Sequence, residues 1–179
     1  LLTRRYAAAL DEQGLEFLGV VNTGARRMET LVRDLLSYTQ AGRREERGAI
    51  EAIDADEVLN RVLQDLGPAV EEAGAIVVNH GLPRVRVEEV HFRQLMQNLV
   101  GNAVKYRGER PPRIEVSAAR LGEQWQFTVK DNGIGIEAQH LHKVFGIFKR
   151  LHGQSQYPGT GMGLAICQRL VENYDGRIW

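Results

Sequence analysis

The stretch Gln-Asn-Leu-Val-Gly-Asn-Ala-Val-Lys-Tyr at residues 97–106 closes a helix that the residue pattern extends back to Glu88. At about 100° per residue, Leu95, Met96, Leu99 and Ala103 fall within roughly 60° of Phe92, which makes an apolar face. Gln94, Asn98, Gly101, Asn102 and Lys105 lie on the other side. Asn98, Asn102 and Lys105 follow the i, i+4, i+7 spacing and share one ridge. Two carboxamides and an amine on one ridge suit a metal-bridged polyphosphate. The amide oxygens can enter an octahedral Mg²⁺ shell, and the ammonium can neutralise a phosphate oxygen. Taken alone, the same ridge could be a solvated polar face.

Two further stretches downstream give the ridge a context. Phe127–Lys130 reads as a strand that runs into Asp131-Asn132-Gly133-Ile134-Gly135-Ile136. A carboxylate at a strand end, followed by two glycines, lets backbone approach a flat ligand while the acid accepts one hydrogen bond, as from an adenine amino group. By itself Asp-x-Gly-x-Gly is often only a turn, and it lacks the third glycine of the dinucleotide fingerprint. Gly159-Thr160-Gly161-Met162-Gly163-Leu164 then opens the last helix, whose exposed amides form an anion site. Between these boxes, Phe145 to Pro158 holds Phe145, Phe148, Lys149, Arg150 and Tyr157, which reads as a mobile lid with a basic tip.

The surrounding pattern alternates strands and helices. Strands are expected over Ile50–Ile53, Ile76–Asn79, Arg84–Val87, Arg113–Ala119 and Trp125–Lys130. Asp54 or Asp56 is expected to cap a helix running towards Gly74, kinked or divided at Pro68. Gly161–Tyr174 is expected to be the last helix, stopped by Gly176 in a left-handed conformation, with a new strand beginning at Arg177-Ile178-Trp179. The N-terminal part differs. From Leu15 to Gln40 apolar residues recur at Leu18, Val21, Ala25, Met28, Val32 and Leu35, with Leu31 and Tyr38 widening the stripe. That is the seam of a helical bundle, and a single-stripe helix of this length needs a partner. Leu1–Leu10 also reads as helical, Asp11–Gly14 as the turn of a hairpin, and Ala41–Gly48 as a hinge. Homodimerisation into a four-helix bundle would cover the stripe, as would packing on the downstream domain.

Composition bounds the reading. Among 179 residues, Lys+Arg and Asp+Glu are 23 each, so the net charge is +0, which argues against a nucleic-acid binder. Hydrophobic residues at 43% indicate a globular chain, without an apolar run long enough to span a bilayer or a leader pattern. A soluble, cytoplasmic segment is the expectation. The single cysteine, Cys167, excludes an internal disulfide and reads as a core residue. His140 and His142 would face apart on a helix and make a poor metal pair.

In this order the elements resemble the nucleotide-binding domain of sensor histidine kinases, the Bergerat (GHKL) fold shared with gyrase, Hsp90 chaperones and MutL. Residues 97–106 resemble the family's asparagine box, Asp131–Ile136 its first glycine box, Val144–Leu151 its phenylalanine box and Gly159–Leu164 its second glycine box. Arg150-Leu151-His152-Gly153, Tyr157-Pro158-Gly159-Thr160 and Gly163–Cys167 are similar to phytochrome-like and PAS-linked bacterial kinases. Arg26-Arg27-Met28 and Asp34-Leu35-Leu36-Ser37-Tyr38 resemble the second helix of their dimerisation domain.

The resemblance implies an α+β protein. Residues 1–45 would be a partial dimerisation and phosphotransfer hairpin, half of a dimeric four-helix bundle. Residues 46–179 would be a two-layer α/β sandwich that binds ATP and is truncated at its C-terminus. It implies ATP and Mg²⁺ as cofactors, with Asn98, Asn102 and Lys105 as catalytic residues and Asn102, then Asn98, as metal ligands. Tyr106 would border the nucleotide and Asp131 would read adenine, with Gly133, Gly135 and Ile136 shaping that pocket. Phe148, Lys149 and Arg150 would belong to the lid, and Gly159, Thr160, Gly161, Met162, Gly163 and Leu164 to its phosphate-facing end. The implied partners are a second copy, a response-regulator receiver domain and an upstream sensor domain.

The acceptor histidine is expected about four helical turns before Leu1, since His80, His91, His140, His142 and His152 all lie off the hairpin. The chain is therefore expected to be a fragment unable to phosphorylate itself. A catalytically silent adapter that signals by conformation is the alternative. A chaperone- or topoisomerase-type ATPase would need its catalytic carboxylate at the place of Asn98, where an amide cannot act as a base.

Overall fold

The computed structural model describes residues 11–42, 50–151, 157 and 159–179. A long helix, α1 (Glu12–Ala41), precedes an α/β unit. Asp11 caps it, accepting the Gly14 N–H on Oδ1 at 2.7 Å. The expected turn over Asp11–Gly14 is therefore the helix start, since an Asx side chain that satisfies a first-turn amide favours helix entry. The expected first arm, Leu1–Leu10, and residues 43–48 of the expected hinge lie outside the described residues. Ala41 and Gly42 end α1.

The unit then runs β1 (Ala52–Asp54), α2 (Ala55–Asp65), α3 (Gly67–Ala73), β2 (Ile76–Asn79), β3 (Arg84–Arg86), α4 (Glu89–Lys105), β4 (Arg113–Leu121), β5 (Gln124–Asp131) and α5 (Gly163–Glu172). Of the two acids offered as caps, Asp54 serves α2, accepting from the amides of Asp56 and Glu57. Asp56 instead ties down the β2–β3 loop, accepting at 2.8 Å from both Asn79 Nδ2 and the Leu82 amide. The helical stretch divides at Leu66 because Pro68, without an N–H, fits only a first turn.

β2 pairs parallel with β4, which pairs antiparallel with β5, while β1 and β3 form a separate antiparallel pair. The main core lies between the three-stranded sheet and the helices α2 and α4, with Leu59, Val62, Phe92, Met96, Ile114 and Val116 all buried. Phe92 packs edge-on against Phe127, ring centroids 5.3 Å apart.

The buried residues of α4 are Phe92, Met96, Val100, Ala103 and Val104. Leu95 stays on the core face half-buried, and Leu99 leaves it, as α5 packs on a second side of α4. Leu95 is shared between the two cores and Leu99 turns to a cavity wall.

α5 begins two residues after the expected Gly161. The left-handed residue at its end is Asp175, at φ 54°, rather than Gly176. Gly176 is needed for room instead: its amide donates to Val171 O at 3.1 Å, and a Cβ there would lie 2.9 Å from Val171 Cγ1. Arg177–Trp179 is irregular and not the expected strand.

The end of α1 packs on α5, where Tyr38 and Ala41 meet Met162, Ile166 and Leu170. The rest of its apolar stripe is open, Val21 at 66% and Met28 at 63% exposure. Packing on the downstream unit thus covers only the last turns.

Cys167 is buried, its thiol directed at Leu95 O at 4.0 Å. Burial strips the thiolate of water and pushes the thiol from 9.0 up to about 12. The folded chain therefore keeps a proton that the unfolded chain loses above pH 9. This contribution is intact below that pH and is lost as pH rises towards 12, at up to about 1.4 kcal/mol per pH unit. Urea unfolding at pH 8.5 and 10.5, which takes in about one and a half units of this window, should show a steeper loss for the wild type than for Cys167→Ala. Parallel losses would mean that the thiol is hydrated in the fold.

Candidate functional site

A cavity of about 350 Å³ opens where α4, the end of β5 and the start of α5 converge. Its floor is the polar ridge of α4, from which Asn98, Asn102 and Lys105 all face it. They are half-buried, as befits a helix whose other sides carry two cores.

The end of β5 supplies Asp131, which follows Val129 on the same face of the strand, as period-two alternation requires. Its Oδ1 accepts the Gly133 amide at 2.8 Å. Asn132 anchors the same turn from behind, accepting the Arg113 amide at 2.7 Å and donating to Pro111 O at 3.1 Å. Ile134 N–H then donates to Tyr106 O at 3.1 Å, joining this turn to the end of α4. A Cβ on Gly133 would lie 2.4 Å from that same carbonyl oxygen, so only glycine fits.

The loop from Gly159 to Gly163 closes the opposite side. Gly159 and Gly161 have φ of 146° and 78°, conformations that L side chains rarely adopt. A Cβ at Gly159 would meet Lys105 Nζ at 2.7 Å, and one at Gly163 would meet Asn98 Oδ1 at 3.0 Å. The glycines thus let backbone close on the amine and the carboxamide. α5 starts without a side-chain cap, leaving first-turn amides at the cavity. Lys105 Nζ sits 4.3 Å from the Tyr106 ring centroid, and that ring lies 5.0 Å from Tyr157. Arg150 donates to Tyr157 O at 2.7 Å, and Tyr157 OH donates to Arg107 O at 3.1 Å. Lys149 and Arg150 add two cations to the wall.

Of the residues singled out from the sequence, Tyr106, Gly135, Ile136, Thr160 and Leu164 also line the cavity. Three do not. Gly133 stands behind the turn, Phe148 is 53% exposed, and Met162 is buried in the α1–α5 core. Phe148 also sits at φ 59°, a backbone conformation uncommon for a bulky residue. His152 and Pro158 lie outside the described residues. Ile134, Val144 and Leu151, which fall within the boxes named from the sequence, line the cavity too, as do Asp34, Leu99, Ala103 and Val129, which the sequence did not place at the site. Val129 was legible from strand alternation with Asp131, whereas nothing in the heptad pattern of α1 points Asp34 into a cavity. Among the described residues there is no cluster of three or more His, Cys, Asp or Glu side chains able to hold a metal. No described helix is long and apolar enough to cross a membrane.

Comparison with known proteins adds an independent line. The profile of the histidine kinase-, DNA gyrase B-, and HSP90-like ATPases matches residues 87–179. The chain is 38% identical over 179 residues to the phytochrome-like protein Cph1 of Synechocystis, covering all of this chain and 24% of that protein. It is 40% identical over 179 residues to cyanobacterial phytochrome A of Nostoc, covering 23% of it. It is 35% identical over 182 residues to the methanogenesis regulatory histidine kinase FilI of Methanothrix harundinacea, covering 98% of this chain and 20% of that protein. The chain thus spans about a fifth to a quarter of the length of these relatives. Among solved structures, full-length ShkA in complex with AMPPNP shares its architecture at TM-score 0.71 and 24% identity, over 92% of this chain and 35% of that one.

Proposed function

We propose, because this chain belongs to the histidine kinase-, DNA gyrase B- and HSP90-like ATPase family, that its cavity binds ATP with Mg²⁺ as the catalytic core of a two-component sensor kinase. The observation that carries the reading is one cavity uniting the Asn98, Asn102 and Lys105 ridge with Asp131 and the Gly159–Gly163 loop. Asp131 accepts the adenine amino group, and Tyr106 borders the base. Lys105 and the α5 amides hold phosphate oxygens, and Lys149 or Arg150 reaches the terminal one. The donor set fits Mg²⁺, since two carboxamides beside a polyphosphate offer the hard oxygens that ion takes. Asn102 and Asn98 would hold it, and it would supply neutralisation of the phosphate charge.

The protein's part in the chemistry is positioning and electrostatics for in-line transfer. The γ-phosphoryl goes to an imidazole nitrogen of a histidine on the dimerisation helix, and then to a response-regulator aspartate. α1 is the second helix of that dimerisation unit, its exposed stripe covered by a second copy. Residues 1–45 and 46–179 are the two functional parts.

Titration calorimetry with Mg²⁺ and a non-hydrolysable ATP analogue should give micromolar binding. A folded chain that binds nothing would sink the reading. Because the first histidine of the sequence is His80, outside α1, labelled ATP should leave no acid-labile phosphate on this chain. Incorporation would show that a histidine of the catalytic unit accepts phosphate.

A further inference from the structure

One cavity residue comes from outside the α/β unit. Asp34 belongs to α1, lines the cavity together with Asn98, Lys105 and Gly159, and accepts a hydrogen bond from the Thr160 hydroxyl. A carboxylate there has the wrong sign for a polyphosphate site. We propose that Asp34 is a charge gate: docking of α1 on α5 and entry of a polyphosphate into the cavity oppose each other through this side chain. The inference rests on the nucleotide reading of the cavity.

Three features support it. The first is position. Thr160 directly follows Gly159, where an added Cβ would lie 2.7 Å from Lys105 Nζ, so Asp34 is bonded to the loop that closes on the amine. An anion drawn to Lys105 therefore meets the field of Asp34 at short range, in a partly enclosed site where charges are weakly screened.

The second is freedom to move. Thr160 stands between two glycines of positive φ, 146° and 78°, so its loop can take a second backbone arrangement at little steric cost.

The third is where the helix is held. Among the described residues, Tyr38 and Ala41 rest on Met162, Ile166 and Leu170, Asn173 Nδ2 donates to Ala41 O, and the Arg169 guanidinium lies 5.5 Å from the Tyr38 ring. The preceding turns of α1 are mostly exposed, Val21, Met28 and Val32 among them. The docked part is thus the end of the helix that carries Asp34, so repulsion at that charged contact bears directly on docking. α5 is the shared element: Gly163 and Leu164 line the cavity, while Ile166 and Leu170 carry the docked helix.

Linkage makes the effect reciprocal: if docking weakens polyphosphate binding, polyphosphate weakens docking by the same factor. Asp34→Asn is the variant of choice, because its amide oxygen can still accept the Thr160 hydroxyl while the charge is gone. Calorimetry of the whole chain with adenosine, ADP and the non-hydrolysable triphosphate should show a graded response. The substitution should leave adenosine unchanged, tighten ADP about threefold and tighten the triphosphate about tenfold. In parallel, the triphosphate should speed hydrogen exchange over residues 34–42 of the wild type, and this response should disappear in Asp34→Asn. Equal affinities in the two proteins, or exchange insensitive to nucleotide, would overturn the gate. Weaker triphosphate binding by Asp34→Asn would overturn it too, making the carboxylate a ligand-holding group. A wild type that binds adenosine analogues nowhere removes the nucleotide reading, and the gate with it.

Discussion

Asp131→Asn should weaken binding of the ATP analogue at least 100-fold while leaving the fold intact. Asp131 lies at the exposed end of β5, and the bond its Oδ1 accepts from the Gly133 amide at 2.8 Å can be kept by an asparagine oxygen. Keeping that bond turns the new NH₂ towards the cavity, where the proposed partner is the adenine amino group. Two donors then face each other. The lost charge-assisted bond is worth about 1.5–3 kcal/mol, and leaving donors unsatisfied costs about 1–3 kcal/mol more, which together comes to about two orders of magnitude at the low end and more above it. A purine with a carbonyl at that position accepts from the new NH₂, so an inosine nucleotide should lose far less affinity than the adenine one. Measuring both nucleotides on both proteins by calorimetry, with thermal unfolding as the control, separates base reading from general damage. Undiminished adenine binding would place the base elsewhere.

The sequence made this carboxylate visible because strand, acid and glycines fall in one short run. What it left open was how neighbouring elements divide one helix among them. The angular count on α4 located the polar ridge and the direction of Phe92 and Met96. It could not show that α5 covers a second side beside Leu95 and that Leu99 faces the cavity, while Val100 and Val104 belong to the main core. The same contact explains Met162: its place among phosphate-facing glycines suggested a cavity residue, yet its side chain fills the α1–α5 core. Asp34 was invisible for a related reason. Heptad spacing describes which residues of α1 share a stripe, and the direction of a polar residue off that stripe depends on where the helix docks. At the end of α5, Asp175 and Gly176 divide two tasks that sequence reading assigns to the glycine alone, positive φ and lack of a side chain. Short-range rules reached the elements and the site chemistry, while long-range packing fixed the details that they left open.

Gly133→Ala should damage both stability and nucleotide binding, by a route distinct from that of Asp131→Asn. The Cβ it adds would lie 2.4 Å from Tyr106 O and 2.8 Å from Asp131 Oδ1. The first of these is backbone at the end of α4, so it cannot swing aside as a flexible side-chain tip would. Either the turn lifts or α4 shifts, and both break the Ile134 amide bond to Tyr106 O at 3.1 Å and the Gly133 amide bond to Asp131 Oδ1. Overpacking at a rigid contact, with loss of the turn's hydrogen bonds, should destabilise the chain by about 2–4 kcal/mol. Because Asp131 is displaced with the turn, affinity for the ATP analogue should also fall by about two orders of magnitude. Gly135→Ala is the matched control. There φ is +70°, but nothing lies within 4 Å of the new Cβ. Its cost is the left-handed backbone alone, about 1–2 kcal/mol, with Asp131 left in place and a smaller loss of binding. Urea unfolding and calorimetry on the two variants should therefore rank Gly133→Ala as the more damaging in both. The reverse order would mean that the approach of this turn to Tyr106 is loose enough to admit a side chain, and that Asp131 is held by something other than the glycine behind it.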